Sequence, residues 1–152
     1  MNVAYVNPFI SATIHMFKTM LNTELKPGTP MLKREPLPTY DISGVIGLSG
    51  EAQGSIALSF PKAVSLKIVS SLLGAEIKIV GPELTDGIGE LANIIAGNAK
   101  QSLSEFNLSI SLPNVIIGKN HVIASPSGAP TIMVPFSCSF GEFAMEVSLK
   151  TK

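Results

Sequence analysis

Gly81-Pro82-Glu83 opens a run whose apolar residues recur at helical spacing to about Phe106, and such a run commits the chain to a fold built around one long helix. At about 100° per residue, Ile88, Leu91, Ala92, Ile95, Ala99, Leu103 and Phe106 form one apolar face. Asp86, Glu90, Asn93, Gly97, Gln101 and Ser104 line the opposite face. A helix over 83–106, rising about 1.5 Å per residue, is long enough to cross a domain as its central element. Its polar side sets a carboxylate, Glu90, beside a carboxamide, Asn93, both turned to solvent.

Two further helices are predicted. Asn7 and Pro8 read as N-cap and first helical residue, with Ile10, Ile14, Phe17 and Leu21 recurring before Lys26-Pro27-Gly28 ends the pattern, which predicts a helix over 8–23. Pro61 can open another that turns Val64, Ile68 and Leu72 inward and stops near Gly74.

The rest reads as strand and turn. Residues 42–48 and 55–60 flank a Gly50-to-Gly54 turn, and Ile56, Leu58 and Phe60 alternate with Ser55, Ala57 and Ser59 as in a half-buried hairpin. Prolines at 30, 36 and 38 limit 31–35 to a short edge strand. Residues 113–119 form another strand, continued through His121 to Ala124. Ile132, Val134, Phe136, Cys138 and Phe140 share one side of a strand, Gly141-Glu142 turns the chain, and Phe143, Met145, Val147 and Leu149 continue a second amphipathic strand. The fold class is therefore α/β of the α+β type: helices on a mostly antiparallel sheet, arranged as two helix-plus-strands halves that share topology without sequence identity.

Composition bounds the function. At 152 residues, 45% hydrophobic and 14% charged, residues 1–152 suit a single compact domain with its own core. Eleven basic against eleven acidic side chains provide no field for nucleic acid, which excludes it as a partner. Mean hydropathy is positive, +0.38, yet Pro, Gly or charge interrupts every run before the ~18 apolar residues a membrane span needs. The start lacks a secretion signal and the single Cys138 forms no internal disulfide, both of which favour the cytoplasm. Surplus apolar surface on so small a chain predicts a homodimer.

Other chemistries read weakly. Two histidines, His15 and His121, make no metal cluster. Cys138 has no base near it in sequence and reads as a buried structural thiol. Gly87-Ile88-Gly89-Glu90-Leu91-Ala92 mimics a dinucleotide fingerprint, but no strand leads into it. Spacing alone lets Glu90 and Asn93 do no more than solvate a helix. Gly97 adds to them, since a glycine inside a strong helix costs about 1 kcal/mol against alanine and often marks close approach of another backbone.

The string Glu90-Leu-Ala-Asn93-Ile-Ile-Ala-Gly97-Asn98-Ala-Lys100, preceded by Asp86, resembles the motif helix of the CheC/CheX/FliY group of chemotaxis phosphatases, in which an acidic or serine residue, then Glu, then Asn follow in this order. Residues 7–20, NPFISATIHMFKTM, resemble the first helix of the CheX-like members, so the resemblance covers nearly the whole chain. The family pattern also places a proline some way after the Asn; Pro113 is the nearby candidate and comes slightly early.

The resemblance implies a phosphatase whose substrate is the aspartyl phosphate of a CheY-like response regulator. Asn93 would orient the attacking water, Glu90 would pair with the regulator's active-site lysine, and Asp86 and Gly97 would contact the partner at the rim. It implies no cofactor in this chain, a Mg²⁺ held by the regulator, one site per chain, and pairing of two copies. The alternative is a non-catalytic dimeric adaptor that docks on a regulator or on the flagellar switch.

Overall fold

The computed structural model describes residues 3–33, 40–119 and 130–151. The expected strand over His121 to Ala124 lies outside those residues, as do Pro36 and Pro38. Among the described residues the elements follow in the order α1 (Asn7–Met20), β1 (Lys26–Pro27), β2 (Met31–Lys33), β3 (Ile42–Ser49), β4 (Ala52–Phe60), α2 (Lys62–Leu73), α3 (Pro82–Gln101), β5 (Ser109–Ile110), β6 (Asn114–Ile117), β7 (Thr131–Cys138) and β8 (Gly141–Thr151). A 3₁₀ turn, Ser104–Phe106, follows α3, so the helical run ends five residues earlier than its apolar periodicity suggests.

All strands join one antiparallel sheet in the order β1-β7-β8-β4-β3-β5, with β2 also on β7 and β6 also on β3. The two halves are thereby interleaved. α1, β2, β3 and β4 correspond in order to α3, β6, β7 and β8, yet each half gives its short strand to the other: β2 pairs with β7, and β6 with β3. The long strands β4 and β8 pair along the middle, from Ala52↔Thr151 to Ser59↔Ala144.

The helices lie on one face of the sheet. Thr13 Oγ lies 3.6 Å from the Met145 sulfur, and Phe17 stacks on Phe143 at 5.2 Å. Phe60 and Phe136 close round the same Phe143 ring at 4.9 and 5.2 Å. α3 crosses β3 where Gly44 leaves room for Ile88 and Ala92. α2 begins after Pro61, with Asp41 Oδ2 accepting the Lys62 N–H at 3.2 Å, and ends at the left-handed Gly74.

Several details correct the sequence expectation. In α1 the buried stripe is Phe9, Ala12, Thr13, Met16 and Phe17, and Ile10 and Ile14 are only half-buried. Thr13 can enter the core because its hydroxyl donates to the Phe9 carbonyl at 2.7 Å. α1 ends at Met20, short of the expected 23, and its N-cap is Val6 and not Asn7.

β4 is buried on both faces, not one. On the sheet face away from the helices, Ser43 and Ser59 share a hydroxyl contact at 2.6 Å, and Glu146 pairs with Lys33 with both side chains almost fully buried. The last hairpin turns at Ser139-Phe140, because Cys138 pairs with Gly141. Gly141, at φ +127°, is the first residue of β8 and adopts a conformation closed to most side chains. Cys138 is half-buried at that turn, its thiol 3.6 Å from the Gly141 carbonyl, and not within the core.

Candidate functional site

Packing against α1, α2 and the sheet fixes α3 and, among the described residues, leaves it one open stripe. Leu84, Ile88, Leu91, Ala92, Ile95, Ala96 and Ala99 are buried against α1, α2 and β3. A Cβ on Gly87 would stand 2.6 Å from Val69 of α2, and one on Gly89 would stand 3.3 Å from the Pro113 ring. Glu83 in the first turn and Lys100 in the last suit the helix dipole. Gly87 and Gly89 lie inside a continuous helix, so the apparent dinucleotide fingerprint has no strand-to-helix turn to form it.

The open stripe is the one read from the sequence. Asp86 and Glu90 are exposed, Asn93 and Gly97 half-buried. Side chains three apart on a helix have Cβ atoms about 5–6 Å apart, so Glu90 and Asn93 are direct neighbours. Neither makes a hydrogen bond or ion pair with another described residue. A carboxylate and a carboxamide are thus held on a packed helix without side-chain partners among the described residues, able to accept and donate towards a second molecule.

Gly97 differs from the other α3 glycines. A Cβ there would meet nothing within 4 Å, so no packing among the described residues accounts for it. It borders an open groove with Lys100, Gln101, Ser104, Asn107, Leu108 and Ile110.

The sequence reading missed the flank of this stripe. The segment from β5 to β6 runs beside α3, with Ile110 at the Gly97 groove and Pro113 against Gly89. Between them Leu112 is 86% exposed. The alternating run Leu108-Ser109-Ile110-Ser111-Leu112 ending at Pro113 was the available signal. His15 is exposed on α1, away from any cluster. Among the described residues no group of three or more His, Cys, Asp or Glu side chains could hold a metal, and no helix is long and apolar enough to cross a membrane.

Comparison with known proteins finds relatives over most of the chain. The family model described as chemotaxis phosphatase CheX matches residues 42–137. The CheY-P phosphatase CheX of Thermotoga maritima is 29% identical over 128 residues, covering 82% of this chain and 83% of that protein. A CheC-like superfamily protein from Shewanella sp. PV-4 superposes with a TM-score of 0.89 at 38% identity over 99% of each chain. A chain of the CheX–CheY–BeF3–Mg²⁺ complex from Borrelia burgdorferi superposes with a TM-score of 0.81 at 28% identity, covering 96% of this chain and 97% of that one.

Proposed function

This chain belongs to the chemotaxis phosphatase CheX family, and on that footing we propose that it hydrolyses the aspartyl phosphate of a CheY-like response regulator, with Glu90 and Asn93 as the residues that enter the regulator's active site. The observation that carries this reading is the pairing of two polar side chains, without partners among the described residues, on the stripe of α3 that those residues leave open.

An acyl phosphate is already labile, so the protein contributes position more than basicity. The Asn93 carboxamide, with one accepting and two donating sites, holds a water in line with the phosphorus. The water oxygen bonds to phosphorus, the bond from phosphorus to the aspartate oxygen breaks, and inorganic phosphate leaves with the carboxylate restored. Glu90 meets the regulator's active-site lysine and sets the register of α3; it need not take up a proton. Mg²⁺, which belongs to the regulator, neutralises phosphoryl charge there. Asp86, one turn before Glu90, contacts the rim. Gly97 gives the partner a flat place to approach, which would account for a glycine whose Cβ position is empty.

In this reading residues 1–152 act as one cytoplasmic domain with one site; the hydrophobic core that joins both halves among the described residues supports the single domain. Two copies form a homodimer. Met31 and Leu32, each about half exposed on the edge strand β2, are consistent with a surface that a second copy covers.

The test is phosphate release from a phosphorylated CheY-like regulator with Mg²⁺, using the wild type, Asn93→Ala and Glu90→Ala. Acceleration by the wild type that Asn93→Ala abolishes, with the fold intact, is the expected result. Measurable binding with acceleration of no regulator from the same cell would instead make the protein an adaptor.

A further inference from the structure

Leu112 is the most exposed large apolar side chain among the described residues, at 86%, yet its backbone is held on both sides. Before it, the Ser111 N–H donates to the Gly47 carbonyl at 2.9 Å, and the Gly47 N–H donates back to Ser111 Oγ at 2.8 Å. The same hydroxyl donates to the Leu112 carbonyl at 2.9 Å. After it, Pro113 has a fixed φ, and its ring rests on Gly89 of α3. Single exposed leucines are ordinary on protein surfaces. A leucine clamped between an anchored serine and a packed proline is presented to solvent in a defined place.

That place is set by its neighbours along α3. Ile110 borders the Gly97 groove and Pro113 meets Gly89, so the connecting loop runs antiparallel to the helix. Asn93 is midway between Gly89 and Gly97, which puts Leu112 level with the Asn93 turn. A specific interface takes about 800 Å² from each partner. A body that covers Glu90 and Asn93 over such an area is large enough to reach Leu112.

We propose that Leu112 is a specificity-determining docking residue, an apolar knob that the phosphorylated response regulator buries in a complementary apolar pocket while α3 presents Asn93. The proposal rests on the reading of α3 as the regulator-facing helix. Because the clamp fixes the loop before binding, little ordering is needed when the knob is buried. A contact of this kind acts equally on the bound regulator and on the transition state, so it sets affinity and KM and leaves kcat unchanged.

The experiment compares the wild type, Leu112→Ser, Leu112→Met and Asn93→Ala in two measurements: steady-state phosphate release from the phosphorylated regulator, and affinity for the regulator activated with beryllofluoride and Mg²⁺. Leu112→Ser is expected to raise KM and Kd about tenfold, a change of about 1.4 kcal/mol, with kcat within about twofold and thermal stability unchanged. Leu112→Met restores most of the affinity, whereas Asn93→Ala loses kcat and keeps Kd. Unchanged KM and Kd in Leu112→Ser, with Asn93→Ala inactive, overturns the role of Leu112 and leaves the phosphatase reading standing. A wild type that neither binds nor accelerates any regulator overturns both.

Discussion

Gly87 of α3 and Val69 of α2 meet so closely that a Cβ on the glycine would fall 2.6 Å from the valine Cγ1. The crossing of these two helices is therefore set by the absence of a side chain. Gly87→Ala forces the helices apart, and overpacking of this kind costs about 1–3 kcal/mol, less the helix-propensity gain of about 1 kcal/mol. Thermal or urea unfolding should show a net destabilisation, and an unchanged midpoint would mean that Val69 simply rotates away.

Gly97→Ala should act in the opposite sense on stability. With nothing among the described residues within 4 Å of the new Cβ, the substitution removes a helix-interior glycine and should stabilise the chain by up to about 1 kcal/mol. Affinity for the regulator should fall at the same time, more for Gly97→Gln than for Gly97→Ala. A rise in stability with no loss of affinity would take Gly97 out of the docking surface.

Glu90 is exposed and has no charge partner among the described residues, so its attraction to the regulator's lysine acts across the interface as the complex forms and is weakened by salt. Titrating the regulator at about 0.05 and about 0.3 M salt should show weaker binding at the higher concentration. Glu90→Gln should bind more weakly at low salt and show a flatter dependence. Equal salt slopes for the two proteins would remove the ion pair from the account.

Lys33 and Glu146 form an ion pair on the sheet face away from the helices, with side-chain exposures of 6% and 3%. Glu146 Oε2 has no hydrogen-bond partner there. Lys33→Met leaves a buried carboxylate without its counter-charge and should destabilise by about 3–5 kcal/mol. Lys33→Met with Glu146→Met removes both charges and should recover most of that loss, which denaturant unfolding of the single and double variants will show.

The long helix and its open stripe were legible because α3 obeys one period throughout: each polar position assigned to solvent avoids the core, and the apolar ones through Leu103 are buried. Strand pairing in the last hairpin was also legible, although Gly141 marks the residue after the turn and not the turn itself. Hydrophobicity failed where a polar group finds a partner out of sight of its own segment. Thr13 is buried because the Phe9 carbonyl takes its proton. Glu146 reads as an outward strand position, and the lysine that lets it lie inside is 113 residues away. Ser59 enters a buried layer through Ser43 on the neighbouring strand. The Gly89–Pro113 contact that positions the flank of the site is likewise long-range, invisible to any local pattern.

The interleaving of the two halves has a consequence for how this chain can be cut, copied or assembled. Because β2 completes the edge at β7 and β6 completes the edge at β3, neither half holds a finished sheet, and a fragment ending before α3 would leave β3 and β4 with unpaired edges open to any other strand. The central β4–β8 ladder joins residues about a hundred positions apart, so its closure comes late and folding is slowed by topology. The molecule is in effect a swapped dimer fused into one polypeptide. Its two halves expressed separately are expected to be insoluble alone and to recover structure only when mixed.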